Sequence, residues 1–399
     1  MRLVLCVEFN ALRESGLVGA QMEQQVDTLV IGAGPAGLAV AACLKKRGAS
    51  CIIVDRATEV GSSWRRRYDR LHLHSDRDRS TLPYLSFPAG TPRYPSREQV
   101  IEYLELYARH FELVPHFNEE VRTVRPRNPG WITTTTASVY HARQVVVATG
   151  YNAVPYQPQW RGQERFSGRI LHSSEYRSGE SFRGQSVLVV GLGNSGGEIA
   201  IDLHEHGARV AIAVRGPVNI IPREILGVPV LAIAILLNRL PARFADALAA
   251  PLVRLTIGDI TKLGFRKLPM GPFTQIKTRT RIPLIDVGTV KLVREGHIEV
   301  LGDIREMGEA DVTFDDGRAR DFDAIVAATG FRPRSGFFLA PPSDILDAEQ
   351  PQPPSGGDKK SGLHHCGFIV SATGMLREIG IEAQRVADEI THLEHQPVV

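Results

Sequence analysis

The feature that most limits the folds open to this chain is a unit that occurs twice. Val26 to Ile31 is a β-branched, apolar run of strand length that ends in GAGPAG, Gly32 to Gly37. An Ala- and Leu-rich helical stretch follows, Leu38 to Arg47, closed by Gly48, and then a second strand, Cys51 to Val54, ending at Asp55. The same grammar returns from Val187 to Val190, through GLGNSG (Gly191 to Gly196), a helix running to His206 and a strand from Val210 to Val214. Such a β–turn–α–β unit, about 30 residues long, specifies two parallel strands with a helix crossing between them. The two glycine turns lie 159 residues apart, which marks the duplication of a domain-sized module rather than a solenoid repeat.

A second echo frames the first. VVVATG (Val145 to Gly150) and IVAATG (Ile325 to Gly330) are each a buried-type strand that breaks at Thr-Gly. The order is glycine turn, ATG, glycine turn, ATG, so one domain is begun, interrupted after Gly150 and resumed near Gly330. The fold class expected is therefore α/β, with two Rossmann-like dinucleotide-binding domains, the second inserted into the first. Residues 1–25 read as an N-terminal extension with little role in the fold, since Met22 stands just before the first strong strand. Residues 26–155 form the first part of the outer domain, 156–320 the inserted domain and 321–395 the second part of the outer one. Residues 341–362, rich in Pro, Gly and charge, read as a mobile loop. Ser96 to His110 reads as a helix opened by Ser96 with Glu98 and Gln99 behind it, and Arg377 to Glu394 as a final amphipathic helix.

Composition narrows the rest. At 399 residues, 43% apolar and 23% charged, the chain is globular and longer than a typical single domain. Lys+Arg 47 against Asp+Glu 44 is too balanced for a dedicated nucleic-acid binder. Of those basic residues 39 are Arg, a bias read as GC-rich coding rather than a functional surface. Cys6, Cys43, Cys51 and Cys366 include no CxxC pair, so neither a disulfide framework nor a zinc site is signalled. His364-His365-Cys366 has ligand-type residues but no second cluster, and no metal is expected. No apolar run reaches the roughly 18 residues of a spanning helix. The longest, Ile225 to Leu237, contains Pro229 and reads as a helix packed beneath the active site in preference to a peripheral membrane attachment. MRLVLCVEF is too short for a secretory signal, which points to the cytoplasm.

The glycine turns carry the chemistry. Gly32 permits the tight turn, Gly34 lets the backbone approach a pyrophosphate, and Gly37 allows close helix–strand packing, with Pro35 and Ala36 between them at the helix start. Asp55 lies 23 residues after Gly32, placed to accept from a ribose hydroxyl pair, with Arg56 beside it. The second turn offers Gly191, Gly193, Asn194, Ser195 and Gly196, but its second strand ends Val214-Arg215, without an acid. An Arg there welcomes a 2′-phosphate that a carboxylate would repel, so the second site reads as NADP(H). Thr149-Gly150 and Thr329-Gly330 close strands beside the two cofactors. FAD in the first domain and NADPH in the second is the economical assignment. Disulfide reductases need a CxxC near the flavin; without one, electrons must pass to oxygen, a quinone or another protein.

FSGRILHSSEY (Phe166 to Tyr176) spells F-x-G-x-x-x-H-x-x-x-Y, which resembles the identifying sequence of flavin-containing monooxygenases. Its final Tyr, rather than Trp, is unlike the type I Baeyer–Villiger enzymes. YDRLHLH (Tyr68 to His74), HSSEYRSGESFRGQSVLVVGLGNSG (His172 to Gly196), PREILG (Pro222 to Gly227) and IDVGT (Ile285 to Thr289) resemble YUCCA-type monooxygenases, the plant indole-3-pyruvate monooxygenases and their bacterial relatives. The likeness runs from about Val26 to Ile390. It departs at Ser75 to Thr81, which lacks the usual Pro-Lys, at Ser62-Ser63 before the matching Trp64, and across Leu363 to Gly380; these changes bear on the substrate rather than the cofactors.

The resemblance implies that NADPH reduces FAD and that oxygen adds at flavin C4a. The resulting (hydro)peroxyflavin then meets a substrate while NADP⁺ stays bound. The favoured substrate is an aromatic 2-oxo acid such as indole-3-pyruvate, decarboxylated to the arylacetic acid. N- or S-oxygenation in a tailoring or detoxification pathway and a non-enzymatic flavin redox sensor remain the alternatives. His74 falls roughly where other flavin monooxygenases place an Asn over the flavin, and Trp64 joins the cofactor-binding set. Asn194 is read as a nicotinamide-side contact and His172 as a brace for the domain linker. The partners expected are a small molecule and O2, with no nucleic acid and no integral membrane segment; a homodimer is left open.

Overall fold

In the computed structural model, which describes residues 22–279, 281–333 and 362–394, strand β1 (Met22–Ile31) ends with four buried residues that carry the chain to Gly32. Helix α1 (Pro35–Lys46) follows, with Pro35 in the first turn, where its missing N–H breaks no helical bond. Strand β2 (Cys51–Val54) pairs parallel with β1. Helix α2 (Arg97–His110) opens on a capping box: the Ser96 hydroxyl accepts from the Gln99 N–H and the Gln99 side chain accepts from the Ser96 N–H. Strands β3 (Val121–Pro126) and β4 (Trp131–Thr135) form an antiparallel pair, and β4 is antiparallel to β5 (Ser138–Val147). β5 lies parallel to β1, with Val147 opposite Ile31.

The second domain starts with β6 (Arg169–His172) and β7 (Ser186–Val190). After the second glycine turn come α3 (Asn194–Glu205), β8 (Arg209–Ala213), α4 (Val230–Leu237), α5 (Ala242–Ile257) and α6 (Pro272–Arg279). Strands β9 (Ile298–Leu301) and β10 (Ala324–Ala327) complete a five-stranded parallel sheet ordered β9-β8-β7-β10-β6. Its central strands are almost wholly apolar, as strands covered on both faces must be. The chain then returns: β11 (Leu363–His365) pairs with β5 of the first sheet, and α7 (Met375–Glu394) packs on α1. Ala383, Val386, Ala387 and Ile390 of α7 share the first core with Leu38 and Val40.

The α/β class and the insertion hold; two boundaries and the reading of one segment are corrected. β1 begins at Met22, because residues 22–26 continue the ladder against Ser138–Ala142; residues 22–25 are therefore strand, not extension. Ala324–Ala327 belongs to the inserted domain, because it pairs with β7 on one side and β6 on the other; the outer domain does not resume at 321. Both ATG strands thus do one job, each lying beside the strand that leads into its own domain's glycine turn. The segment Ile225 to Leu237 is not uniformly buried. Glu224–Ile225 and Val228–Pro229 form a small hairpin, and Leu226, Val228 and Leu236 are exposed while Leu231 and Ala234 pack inward. Residues 1–21 and 341–361 lie outside the described residues.

Candidate functional site

A cavity of about 1180 Å³ lies between the two glycine turns. Gly32 and Gly191 occupy the same place in their domains. Their φ values of +114° and +106° are costly for any L side chain, and a Cβ would stand 2.5 Å from the Ala148 carbonyl oxygen in one and 2.7 Å from that of Ala328 in the other. Gly37 and Gly196 are crowded from the opposite side, since a Cβ would lie 1.8 Å and 2.0 Å from the carbonyl oxygens of Gly32 and Gly191. Gly34 and Gly193 differ from both pairs: a Cβ there would meet nothing within 4 Å and would stand at the cavity wall. Four glycines serve packing, and two keep a helix N-terminus open to the cavity, which is the cradle a diphosphate requires.

The two cradles carry opposite charge. Asp55, at the end of β2, lines the cavity with its carboxylate held by the N–H groups of Ala33 (2.6 Å) and Ala57 (2.8 Å). At the equivalent place after β8 stands Arg215, whose carbonyl accepts from Arg266. Arg279 and Arg281 join Arg215 on the cavity wall. Partial burial and then the charges of Arg215 and Arg279 press the Arg281 guanidinium below its ordinary range. Three cations gathered at one wall fit a phosphate-bearing ligand. The residues present therefore match an FAD-type dinucleotide at the first turn and an NADPH-type one at the second.

Arg56, Trp64, Thr149, Gly150, Ser195, Thr329, Gly330 and His74 also line the cavity; Gly37 and Gly196 lie behind it. His74 Nε2 lies 3.1 Å from Glu198 Oε1, yet neither ring nitrogen is aligned with a hydrogen-bond partner among the described residues. Contacts of this kind often tighten only once a ligand is bound. The other oxygen, Glu198 Oε2, accepts from the buried Tyr68 hydroxyl at 2.7 Å. Burial and the Glu198 charge hold that phenol far above its usual range. Asn194 lines the cavity, and its Oδ1 accepts the Ile285 N–H at 2.9 Å, which pins the start of α3 to the segment Leu284–Asp286. His172 is a brace: buried, it meets the Gly330 carbonyl through Nε2 at 3.0 Å, while Nδ1 accepts from the Ser174 N–H at 3.1 Å. Desolvation lowers its pKa, which favours the neutral ring.

One side of the cavity is apolar. It draws Leu231, Ala234 and Leu237 from α4, Val253 from α5, and Val370 and Leu376 from the returning C-terminal segment. Sequence reasoning missed Glu198, Tyr68, Arg279 and Arg281 as site residues. Only Tyr68 carried a signal, as the first residue of the YDRLHLH motif.

Residues 29–222 match the family described as pyridine nucleotide-disulphide oxidoreductase. The chain is 38% identical over 370 residues to the probable indole-3-pyruvate monooxygenase YUCCA1 of Arabidopsis thaliana, covering 91% of this chain and 89% of that protein. It is 36% identical over 376 residues to the indole-3-pyruvate monooxygenase YUCCA6 of the same plant, with the same coverage. Among solved structures, a flavin-containing monooxygenase from Stenotrophomonas maltophilia superposes with a TM-score of 0.68 at 21% identity, over 93% of this chain and 99% of that one. A caprolactone-bound cyclohexanone monooxygenase superposes at 0.73 and 19% identity, over 94% and 88%; at such identities the likeness is one of fold.

Proposed function

The chain belongs to the YUCCA-type family of flavin monooxygenases, and from that premise we propose that it uses FAD, NADPH and O2 to convert an aromatic 2-oxo acid of the indole-3-pyruvate type into the arylacetic acid. The observation that carries the substrate reading is identity to plant indole-3-pyruvate monooxygenases sustained along nearly the whole chain. The cofactor reading rests on two like cradles facing one cavity, one with a carboxylate at its ribose end and the other with three arginines.

When bound, a flavin reduced by the nicotinamide supplies the activation of dioxygen at its C4a atom. The chain's own residues do the rest. The Gly34 and Gly193 turns and the N-termini of α1 and α3 bind the two diphosphates. Asp55 holds the first ribose, and Arg215 with Arg279 and Arg281 holds the 2′-phosphate of the second nucleotide. The α4–α5 wall keeps water from the reacting oxygen, which limits loss to hydrogen peroxide. His74, faced by the Glu198 carboxylate, presents its ring at the cavity wall, where an imidazole N–H can donate to negative charge that develops on oxygen. With the carboxylate of the oxo acid leaving as carbon dioxide, one oxygen atom enters the product and the other leaves as water.

The test is substrate-stimulated NADPH consumption with product mass. Indole-3-pyruvate or phenylpyruvate should accelerate consumption and yield the acetic acid. Acceleration by an amine or thioether instead, with a mass gain of one oxygen, would put N- or S-oxygenation in its place. No acceleration by any substrate would leave a cofactor-binding sensor.

A further inference from the structure

Among the described residues nothing covers the outer face of α5. Phe244, Leu248, Leu252 and Leu255 recur at helical spacing and are all exposed, Phe244 to 67% and Leu255 to 81%. Leu240 and Leu236 extend the exposed series back to the end of α4. The opposite side of the same helix is used, since Ala245 and Ala249 pack with Ala234 and Phe273. A run of six large apolar side chains in water marks a surface with a partner.

Charge identifies that partner. Between Leu236 and Thr256 there are three basic residues, Arg239, Arg243 and Arg254, all exposed, and one acid, Asp246. Asp246 is turned inward, where its carboxylate accepts from the N–H groups of Phe273 (2.8 Å) and Thr274 (3.1 Å) at the start of α6. Among the described residues none of the three arginines forms an ion pair. A two-fold contact between copies would set these like charges against one another, whereas an anionic surface satisfies all three. The hairpin that leads into α4 repeats the pattern. Leu226 at its tip is 91% exposed with φ +49°, a backbone region that a leucine enters at a cost and without packing in return.

We propose that the α4–α5 face docks the enzyme in the plane of an anionic lipid membrane, with the leucines and Phe244 seated at the acyl boundary and the arginines at the phosphates. No helix among the described residues is long and apolar enough to cross a membrane, so the attachment is peripheral. The inner side of the same two helices walls the cavity, through Leu231, Ala234, Leu237 and Val253. Docking therefore sets the site's apolar wall against the phase in which an aromatic substrate concentrates.

Co-sedimentation of the FAD-loaded full chain with vesicles tests this. Vesicles of phosphatidylcholine with about a third phosphatidylglycerol should retain the protein, and pure phosphatidylcholine or high salt should weaken retention about ten-fold. Phe244→Asp with Leu248→Asp should cost about ten-fold or more, and Arg243→Glu with Arg254→Glu should abolish the preference for anionic lipid. Both variants alter exposed side chains, so flavin content, melting temperature and NADPH oxidation with a soluble substrate should match the wild type. Failure of the wild type to bind, or undiminished binding by the Asp variant, overturns the proposal. So does a dimer in sedimentation velocity that the Asp variant dissolves, which would assign the face to a second copy.

Discussion

Glu198 Oε1 stands 3.1 Å from His74 Nε2, joining a buried carboxylate of the inserted domain to a cavity-lining histidine of the outer one. Through its other oxygen the same carboxylate holds Tyr68, so one side chain reaches two residues of the outer domain. Glu198→Gln keeps the shape and the Tyr68 contact but removes the charge. It should bind FAD fully and be reduced by NADPH within about two-fold of the wild-type rate, while hydrogen peroxide formed per NADPH rises several-fold. Unchanged coupling between NADPH and product would confine Glu198 to the fold.

Two glycines of one turn should fail in different ways. Gly34 has β-region backbone and open space at its Cβ, so Gly34→Val should fold, melt with the FAD-stripped wild type and come out colourless. Gly37→Ala forces a methyl onto the Gly32 carbonyl and should fail to fold or lose about 3 kcal/mol. Yellow Gly34→Val protein, or a stable Gly37→Ala, would reverse these roles.

The arginine wall predicts cofactor choice. A charge-assisted hydrogen bond to phosphate is worth about 1.5–3 kcal/mol, so Arg215→Ala should raise the KM for NADPH roughly ten- to a hundred-fold and leave NADH nearly unchanged. Arg281→Ala should act in the same direction. Because it also relieves repulsion from Arg215 and Arg279, the ligand-free protein should lose no stability. Equal effects on both nicotinamides would assign these arginines to structure.

Burial pushes His364 down from 6.5 to about 4. The folded value lies below the unfolded one, so the unfolded chain takes up more protons between the two. Stability is fully present above about pH 6.5 and falls as pH drops toward 4, by up to roughly 3 kcal/mol. His364 Nε2 meets the Gln144 side chain at 3.0 Å, and His364→Gln should flatten that part of the denaturation profile. An unaltered slope between pH 6.5 and 4 would place the sensitivity elsewhere.

What was legible in the sequence is what a strand, a turn and a helix fix locally. Asp55 and Arg215 could be placed because the β–α–β unit sets their distance from the glycines. The sheet to which Ala324–Ala327 belongs could not, since an apolar parallel strand pairs with neighbours far away in the chain. Glu198 and Asp202 were hidden for a related reason. Two acids one helical turn apart resemble a solvated face, yet both are buried, each accepting from a tyrosine, Tyr68 and Tyr176, outside the helix. Conversely, Phe244, Leu248, Leu252 and Leu255 have the spacing of a core stripe and face water. Spacing shows that a face is apolar; only the packed structure shows what lies against it.

The most direct test of the account is the fate of labelled oxygen. With ¹⁸O2, NADPH and indole-3-pyruvate, in the presence of catalase to remove free peroxide, the purified enzyme should release carbon dioxide and indole-3-acetate carrying one ¹⁸O atom in its carboxylate, with one NADPH oxidised per product. Unlabelled acetate, or NADPH consumption that yields peroxide alone while the oxo acid is recovered, would contradict it.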